Sequence, residues 1–153
     1  MAYKIALVQF KPVRRDVKTN IKKVQDLLKG ITADLVVLPE LANSGYLYEN
    51  PEDIKPYTEG NQGDGEFLSG LIKLAATTKG IILTGYAELD SSQIFNSAAA
   101  VSEKGVIENY RKTHLYADEK AIFEPGNSGF KVFEWQGVKI GTMICFDWIF
   151  PIC

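Results

Sequence analysis

Asp34-Leu35-Val36-Val37-Leu38-Pro39-Glu40 carries a short apolar run, Leu35 to Leu38, that begins after an acid and stops at a proline. A run of this length with such boundaries reads as a strand buried on both faces. Upstream the pattern changes period. Val17, Ile21, Val24, Leu27 and Leu28 recur at helical spacing, and Gly30 stands where a helix C-terminus favours glycine. Further back, the segment from Tyr3 to Phe10 is rich in β-formers and predicts a largely buried strand. Strand, helix and strand within the first forty residues point to a layered α/β domain.

Downstream, Ala42 to Gly65 is polar, holds Pro51 and Pro56, and reads as a long loop with at most a short helical turn. Phe67, Leu68, Leu71, Ile72, Leu74 and Ala75 define a second amphipathic helix ending near Gly80, and Ile81 to Tyr86 a third buried strand. Two hairpins follow: Ile94–Val101 with Val106–Tyr110 across a Ser102-Glu103-Lys104-Gly105 turn, then Phe130–Trp135 with Val138–Ile144 across Gln136-Gly137. There is no internal repeat, low-complexity tract or linker, so residues 1–153 read as one domain.

Composition removes several function classes. The chain has 153 residues, 46% hydrophobic and 24% charged, enough for one domain with a core. Seventeen Lys+Arg against 19 Asp+Glu give a net charge of −2, with no basic footprint for nucleic acid or anionic lipid. Lys11, Arg14, Arg15, Lys18, Lys22 and Lys23 alternate with apolar residues, as on a solvated helix face. No apolar run approaches a membrane span. Met1 to Phe10 is too short and too β-like for a signal peptide. The expectation is therefore a cytoplasmic protein with two free thiols, a Cys145–Cys153 disulfide being compatible with the spacing but disfavoured. Neither a dinucleotide-binding glycine motif after a strand nor a phosphate-binding loop is present.

Three reactive groups stand at strand ends. Glu40 follows a buried strand and a proline, so its carboxylate is a rigidly held candidate general base, although a solvent-facing turn glutamate explains it equally well alone. Lys112 lies just past the Val106–Tyr110 strand. It is either a surface basic residue or a fixed cation for a developing oxyanion. Cys145 follows Ile144 and precedes a polar turn, resembling a nucleophile elbow without its glycines; by itself a buried structural thiol is the simpler account. Together the three supply what thiol catalysis needs, because little of an unperturbed thiol is ionised near neutrality. A nucleophilic Cys145 is expected to alkylate below the pH of an ordinary thiol. His114, the sole histidine, is either a supporting or a structural hydrogen-bonding residue. A metal site from Cys145, Cys153, His114 and Asp147 lacks recurring ligand spacing, so no metal or cofactor is expected. A Ser–His–Asp arrangement would rest on His114 and an arbitrary serine.

Five segments, in order, resemble the nitrilase superfamily of carbon–nitrogen hydrolases: Ala6-Leu7-Val8-Gln9-Phe10, Leu38-Pro39-Glu40, Tyr110-Arg111-Lys112-Thr113-His114-Leu115, Phe123-Glu124-Pro125-Gly126, and Met143-Ile144-Cys145-Phe146-Asp147-Trp148. The resemblance implies an α-β-β-α sandwich and a Glu–Lys–Cys triad. In it Glu40 is the base, Lys112 the oxyanion stabiliser and Cys145 the nucleophile. It further implies that Glu119 orients the lysine, that the Phe146 N–H is a second oxyanion donor, and that Tyr46 and Trp148 wall the pocket. The implied substrate is a small amide, or less often a nitrile, cleaved through a thioester without a cofactor. In that family the pair equivalent to Phe150-Pro151 is usually followed by a glutamate and a second βα half, whereas here Ile152 and Cys153 follow. The expectation is an incomplete second half, an open sheet edge and a homo-oligomer. That chain is either still a hydrolase or an oligomerising or binding module that keeps the site residues.

Overall fold

A computed structural model describes residues 2–151. A five-stranded sheet carries two helices on one face, and a separate two-stranded hairpin follows it. Strands β1 (Ile5–Leu7), β2 (Leu35–Val37) and β3 (Ile81–Asp90) run parallel, as right-handed crossovers through helices require. Strands β4 (Gln93–Ser102) and β5 (Gly105–Arg111) then add antiparallel, in the order β1-β2-β3-β4-β5. The hairpin pairs β6 (Val132–Trp135) with β7 (Val138–Gly141).

The helix between β1 and β2, α1 (Val17–Leu27), is capped by Asp16, whose side chain accepts from the Thr19 N–H at 2.9 Å. A short helix α2 (Pro51–Ile54) and a 3₁₀ turn occupy the long loop, and α3 (Glu66–Thr78) precedes β3. Ile21, Val24 and Leu28 from the first helical segment meet Phe67, Leu68, Leu71 and Ala75 of α3 over Val36, Ile82, Tyr86, Ala99 and Val101 of the sheet. This apolar layer is the main core. The helical periodicity that marks α1 and α3 is thus the face each one buries. On the opposite sheet face lie two smaller clusters, one around Leu41, Ala87, Leu115 and Phe123, the other around Ala98, Tyr110 and Ile144. Of the expected α-β-β-α layers, the described residues form one helical layer, its sheet and the β6–β7 hairpin.

Three readings of the sequence need correction. The first strand is neither as long nor as buried as Tyr3–Phe10 predicted. Only Ile5–Leu7 pairs, and Ile5 and Leu7 are 55% and 79% exposed. As an edge strand it buries only the face turned to the helices, where Ala6 packs. The third strand does not stop at Tyr86 but runs to Asp90 and turns directly into β4. Glu88 hid this continuation. Its carboxylate is fully buried, yet Arg111, Ser97, Asn109 and Asn61 satisfy it. Finally, Cys145 does not close a strand, because β7 ends at Gly141 and Cys145 opens a 3₁₀ turn, Cys145–Ile149.

One close approach sets the position of Glu40. The segment after β2 crosses β3 at Gly85, which donates its N–H to the Pro39 carbonyl at 3.1 Å and accepts from the Ala42 N–H at 2.9 Å. A Cβ on Gly85 would lie 2.4 Å from the Glu40 Cα and 2.8 Å from the Leu41 nitrogen. Both are backbone atoms that cannot swing aside. Gly85→Ala is therefore expected to destabilise the fold by about 1–3 kcal/mol in denaturant titration, in the range of overpacked interiors, and to displace Glu40 with it.

Candidate active site

β4 and β5 deliver the central cation. Ser97 pairs with Arg111 and Ala98 with Tyr110, so alternation sends Arg111 to the helix-covered face and Tyr110 and Lys112 to the other. The Lys112 N–H donates to the Asn96 carbonyl at 2.8 Å, continuing the ladder one residue past the strand, and its carbonyl accepts from Gly126 at 2.8 Å. Gly126 approaches so closely that a Cβ there would lie 2.1 Å from the Arg111 carbonyl oxygen, which accounts for the glycine of Phe123-Glu124-Pro125-Gly126.

The Lys112 ammonium, on a residue only 1% exposed, sits between two carboxylates. It donates to Glu40 Oε1 at 2.8 Å and to both Glu119 oxygens at 2.8 and 2.9 Å. Burial opposes the charge, but the hydrogen bonds to Glu119 and Glu40 outweigh it and raise the lysine above its ordinary range. Glu119 lies in the 3₁₀ turn Ala117–Ala121, and its Oε2 also accepts from the Tyr116 N–H at 2.8 Å. Asn96, wholly buried, donates from Nδ2 to Glu40 at 2.7 Å and to Glu119 at 3.3 Å. Tyr46 lies beside Glu40 as well. Burial and then the Glu40 charge push its pKa far above the ordinary phenol value, so it remains a donor.

Cys145 takes the left-handed backbone, φ 44°, uncommon for a residue with a side chain. It lines one cleft with Glu40, Gly85, Ala98, Thr142 and Ile144. The Phe146 N–H is directed at its sulfur. Burial and then the Glu40 charge push the thiol up, against the opposing pull of Lys112. The thiol thus sits among two carboxylates and one cation, with burial and Glu40 opposing its ionisation and Lys112 favouring it.

The turn is held by Asp147, also fully buried. Its carboxylate accepts from the Ile144 N–H at 3.0 Å, the His114 N–H at 2.8 Å and the Tyr110 hydroxyl at 2.7 Å, and His114 Nδ1 lies 3.0 Å away. The His114 ring stacks on Phe150 with centroids 3.9 Å apart. His114 and Asp147 thus tie the Cys145 turn to the loop after β5. Among the described residues no group of three or more metal-binding side chains is assembled, and Cys153 lies outside them. Cys145 is a free cysteine.

Glu40, Lys112, Glu119, Phe146 and Tyr46 therefore converge with Cys145. Trp148 does not join them. It is 72% exposed and lines neither the Cys145 cleft nor the one beside Glu119. Asn96 was not singled out as a site residue, and Asp147 was named only within the disfavoured metal set. The signal for Asn96 was its place in a hairpin strand opposite Lys112.

Residues 4–152 match the family model for carbon–nitrogen hydrolases. The chain belongs to that family. It is 41% identical over 151 residues to a nitrilase of Pyrococcus abyssi, covering 97% of this chain and 57% of the relative. The solved structure of XC1258 from Xanthomonas campestris, a CN-hydrolase superfamily protein, superposes with a TM-score of 0.85 at 25% identity, over 98% of this chain and 56% of that one. An amidase from Nesterenkonia sp. gives a TM-score of 0.81 at 27% identity, over 97% and 57%. The chain thus spans about half the length of the relatives it matches. Among those relatives are proteins named nitrilase and amidase.

The balance of charges around Cys145 predicts an alkylation profile. With the thiol pushed up by Glu40, the pH dependence of iodoacetamide modification lies above that of an ordinary thiol. In Glu40→Gln the negative neighbour is gone while Lys112 remains, so the profile moves to lower pH. An unchanged midpoint in the variant would show that the two groups are not coupled.

Proposed function

We propose that this chain hydrolyses small non-peptide amides through a thioester on Cys145. The carrying observation is the Lys112 ammonium held between Glu40 and Glu119, with Glu40 and Cys145 lining one cleft. Glu40 takes the Cys145 proton as sulfur attacks the amide carbon. Lys112 and the Phe146 N–H stabilise the oxyanion, an interaction whose loss costs about 3 kcal/mol per donor in comparable sites. Glu40 returns the proton to the departing nitrogen, and ammonia or an amine leaves. It then takes a proton from water attacking the thioester; the carboxylic acid departs and the thiol is restored. Glu119 orients Lys112 throughout. No step calls on a cofactor, and a nitrile could enter by the same attack on carbon.

The same reading places the protein in a reducing compartment such as the cytoplasm, since a disulfide at Cys145 would remove the nucleophile. It also has the chain self-associating through apolar side chains left exposed, among them Leu7, Met143 and Ile149, which sedimentation velocity would reveal as a species heavier than one chain.

Ammonia release from simple aliphatic amides tests the reaction. Cys145→Ala is expected to abolish it, and Lys112→Met to lower kcat by about 100-fold or more. Equal release from the parent and Cys145→Ala would remove the hydrolase reading and leave a chain that keeps the residues for binding or assembly.

A further inference from the structure

Beside the proposed reacting groups lies a second cleft of about 250 Å³. Its walls are Leu41, Ile122 and Phe123 with the rings of Tyr46, Tyr48 and Tyr116, and Glu119 borders it. Tyr46 joins it to the site, because its ring lines this cleft and its hydroxyl lies near enough to Glu40 to feel that charge. Tyr116 continues toward the nucleophile turn, its ring lying edge-on to Phe146 with centroids 5.0 Å apart.

The charges on this cleft are of one sign. Two carboxylates, Asp118 and Glu119, line it, and no lysine, arginine or histidine does. Glu119 is committed, since its oxygens accept from Lys112, Asn96 and the Tyr116 N–H. The nearest buried cation, Lys112, is likewise consumed by Glu40 and Glu119. Arg14 lies over the Tyr48 ring at 5.2 Å, but it pairs with Asp53 and does not line the cleft. Asp118 is exposed and has no hydrogen-bond or ion-pair partner among the described residues. An anionic group entering here would leave water with no cation to meet it and with carboxylates beside it, which is costly. A cationic group would find Asp118.

We infer that this cleft receives the non-reacting arm of the amide, and that the arm is apolar and ends in an ammonium group rather than a carboxylate. This rests on the amidase reading of the site and names its substrate class. Apolar walls take the methylene stem, as they do for lysine side chains that keep their charge at a rim. Discrimination comes both from the attraction to Asp118 and from the unpaired charge imposed on an anionic competitor.

Three amides of one chain length test it: hexanamide, 6-aminohexanamide and the monoamide of adipic acid. The expected order of kcat/KM is amine-terminated, then neutral, then anionic, with about tenfold or more between the two ends. Asp118→Lys should lower the ratio of amine-terminated to neutral rates roughly two- to fivefold, the range of an exposed ion pair, and raise the anionic amide. The parent's preference should also fade as salt is added, because the pair is exposed. A preference for the anionic amide, or a ratio unmoved by both Asp118→Lys and salt, overturns the inference. Binding separates its failure from failure of the amidase reading. Hexylamine and hexanoate titrated calorimetrically into Cys145→Ala report the cleft without turnover. Selective uptake of hexylamine supports the cleft even where no amide is cleaved, and equal uptake of both probes counts against it.

Discussion

A lysine ammonium that is almost completely buried must be paired, and the pairing of Lys112 organises this molecule. An unpaired charge in such a place would be lost to deprotonation or to unfolding. Two carboxylates meet it, from segments 72 and 7 residues away in sequence. Neither glutamate could be held so near the other without the cation between them. The loop after β2, the loop after β5 and the 3₁₀ turn with Glu119 are therefore fixed relative to one another by a single charged atom. Asn96 completes the arrangement by donating to both carboxylates from β4.

The register of β4 and β5 makes this possible and explains why two adjacent basic residues have different surroundings. Arg111 faces the helical layer, where its guanidinium donates to Glu88 at 2.5 and 3.1 Å and to Asp90 at 2.7 Å, 4.0 Å over the Phe95 ring. Lys112 faces the opposite way into the site. A shift of one residue would exchange them, placing a guanidinium between Glu40 and Glu119 and an ammonium against Glu88. The Glu88–Arg111 cluster thus acts as a register lock on the far side of the sheet. Close packing of Gly126 against the Arg111 carbonyl adds a steric lock at the same point.

Much of this was legible in the sequence, and the failures share a cause. Helices α1 and α3 and strand β2 announced themselves because each buries an apolar face continuous in its own period. Glu40, Lys112 and Cys145 could be picked out because each stands where an apolar run gives way to polar residues. What stayed hidden depended on partners distant in sequence. Glu88 looked like the end of a strand until Arg111 and Asn109 were placed against it. Ile5 and Leu7 looked buried, although an edge position leaves them exposed. Asn96 carried no local mark, since it matters by donating to Glu40 and Glu119, and Asp147 was noticed only as a metal-ligand candidate, not as the acceptor for Ile144, His114 and Tyr110.

Because burial and the Glu40 charge oppose ionisation of Cys145, the proposed chemistry is driven by transfer of the thiol proton to Glu40. In the proposed reaction the Glu40 carboxylate acts as the base and carries the negative charge. When Glu40 accepts the thiol proton, that charge is not created anew but moves, first toward sulfur and then to the oxygen of the tetrahedral intermediate. Lys112 loses one of its two anionic partners in the same event, which frees its field for the new oxyanion. Glu119 holds the ammonium in place while this exchange occurs. The Phe146 N–H, already directed at sulfur, requires little reorganisation, because Asp147 fixes the turn through Ile144, His114 and Tyr110. Base and oxyanion stabiliser are consequently not independent parts. The hydrogen bond between Lys112 and Glu40 couples them, so that proton transfer itself prepares the cation for the charge that follows.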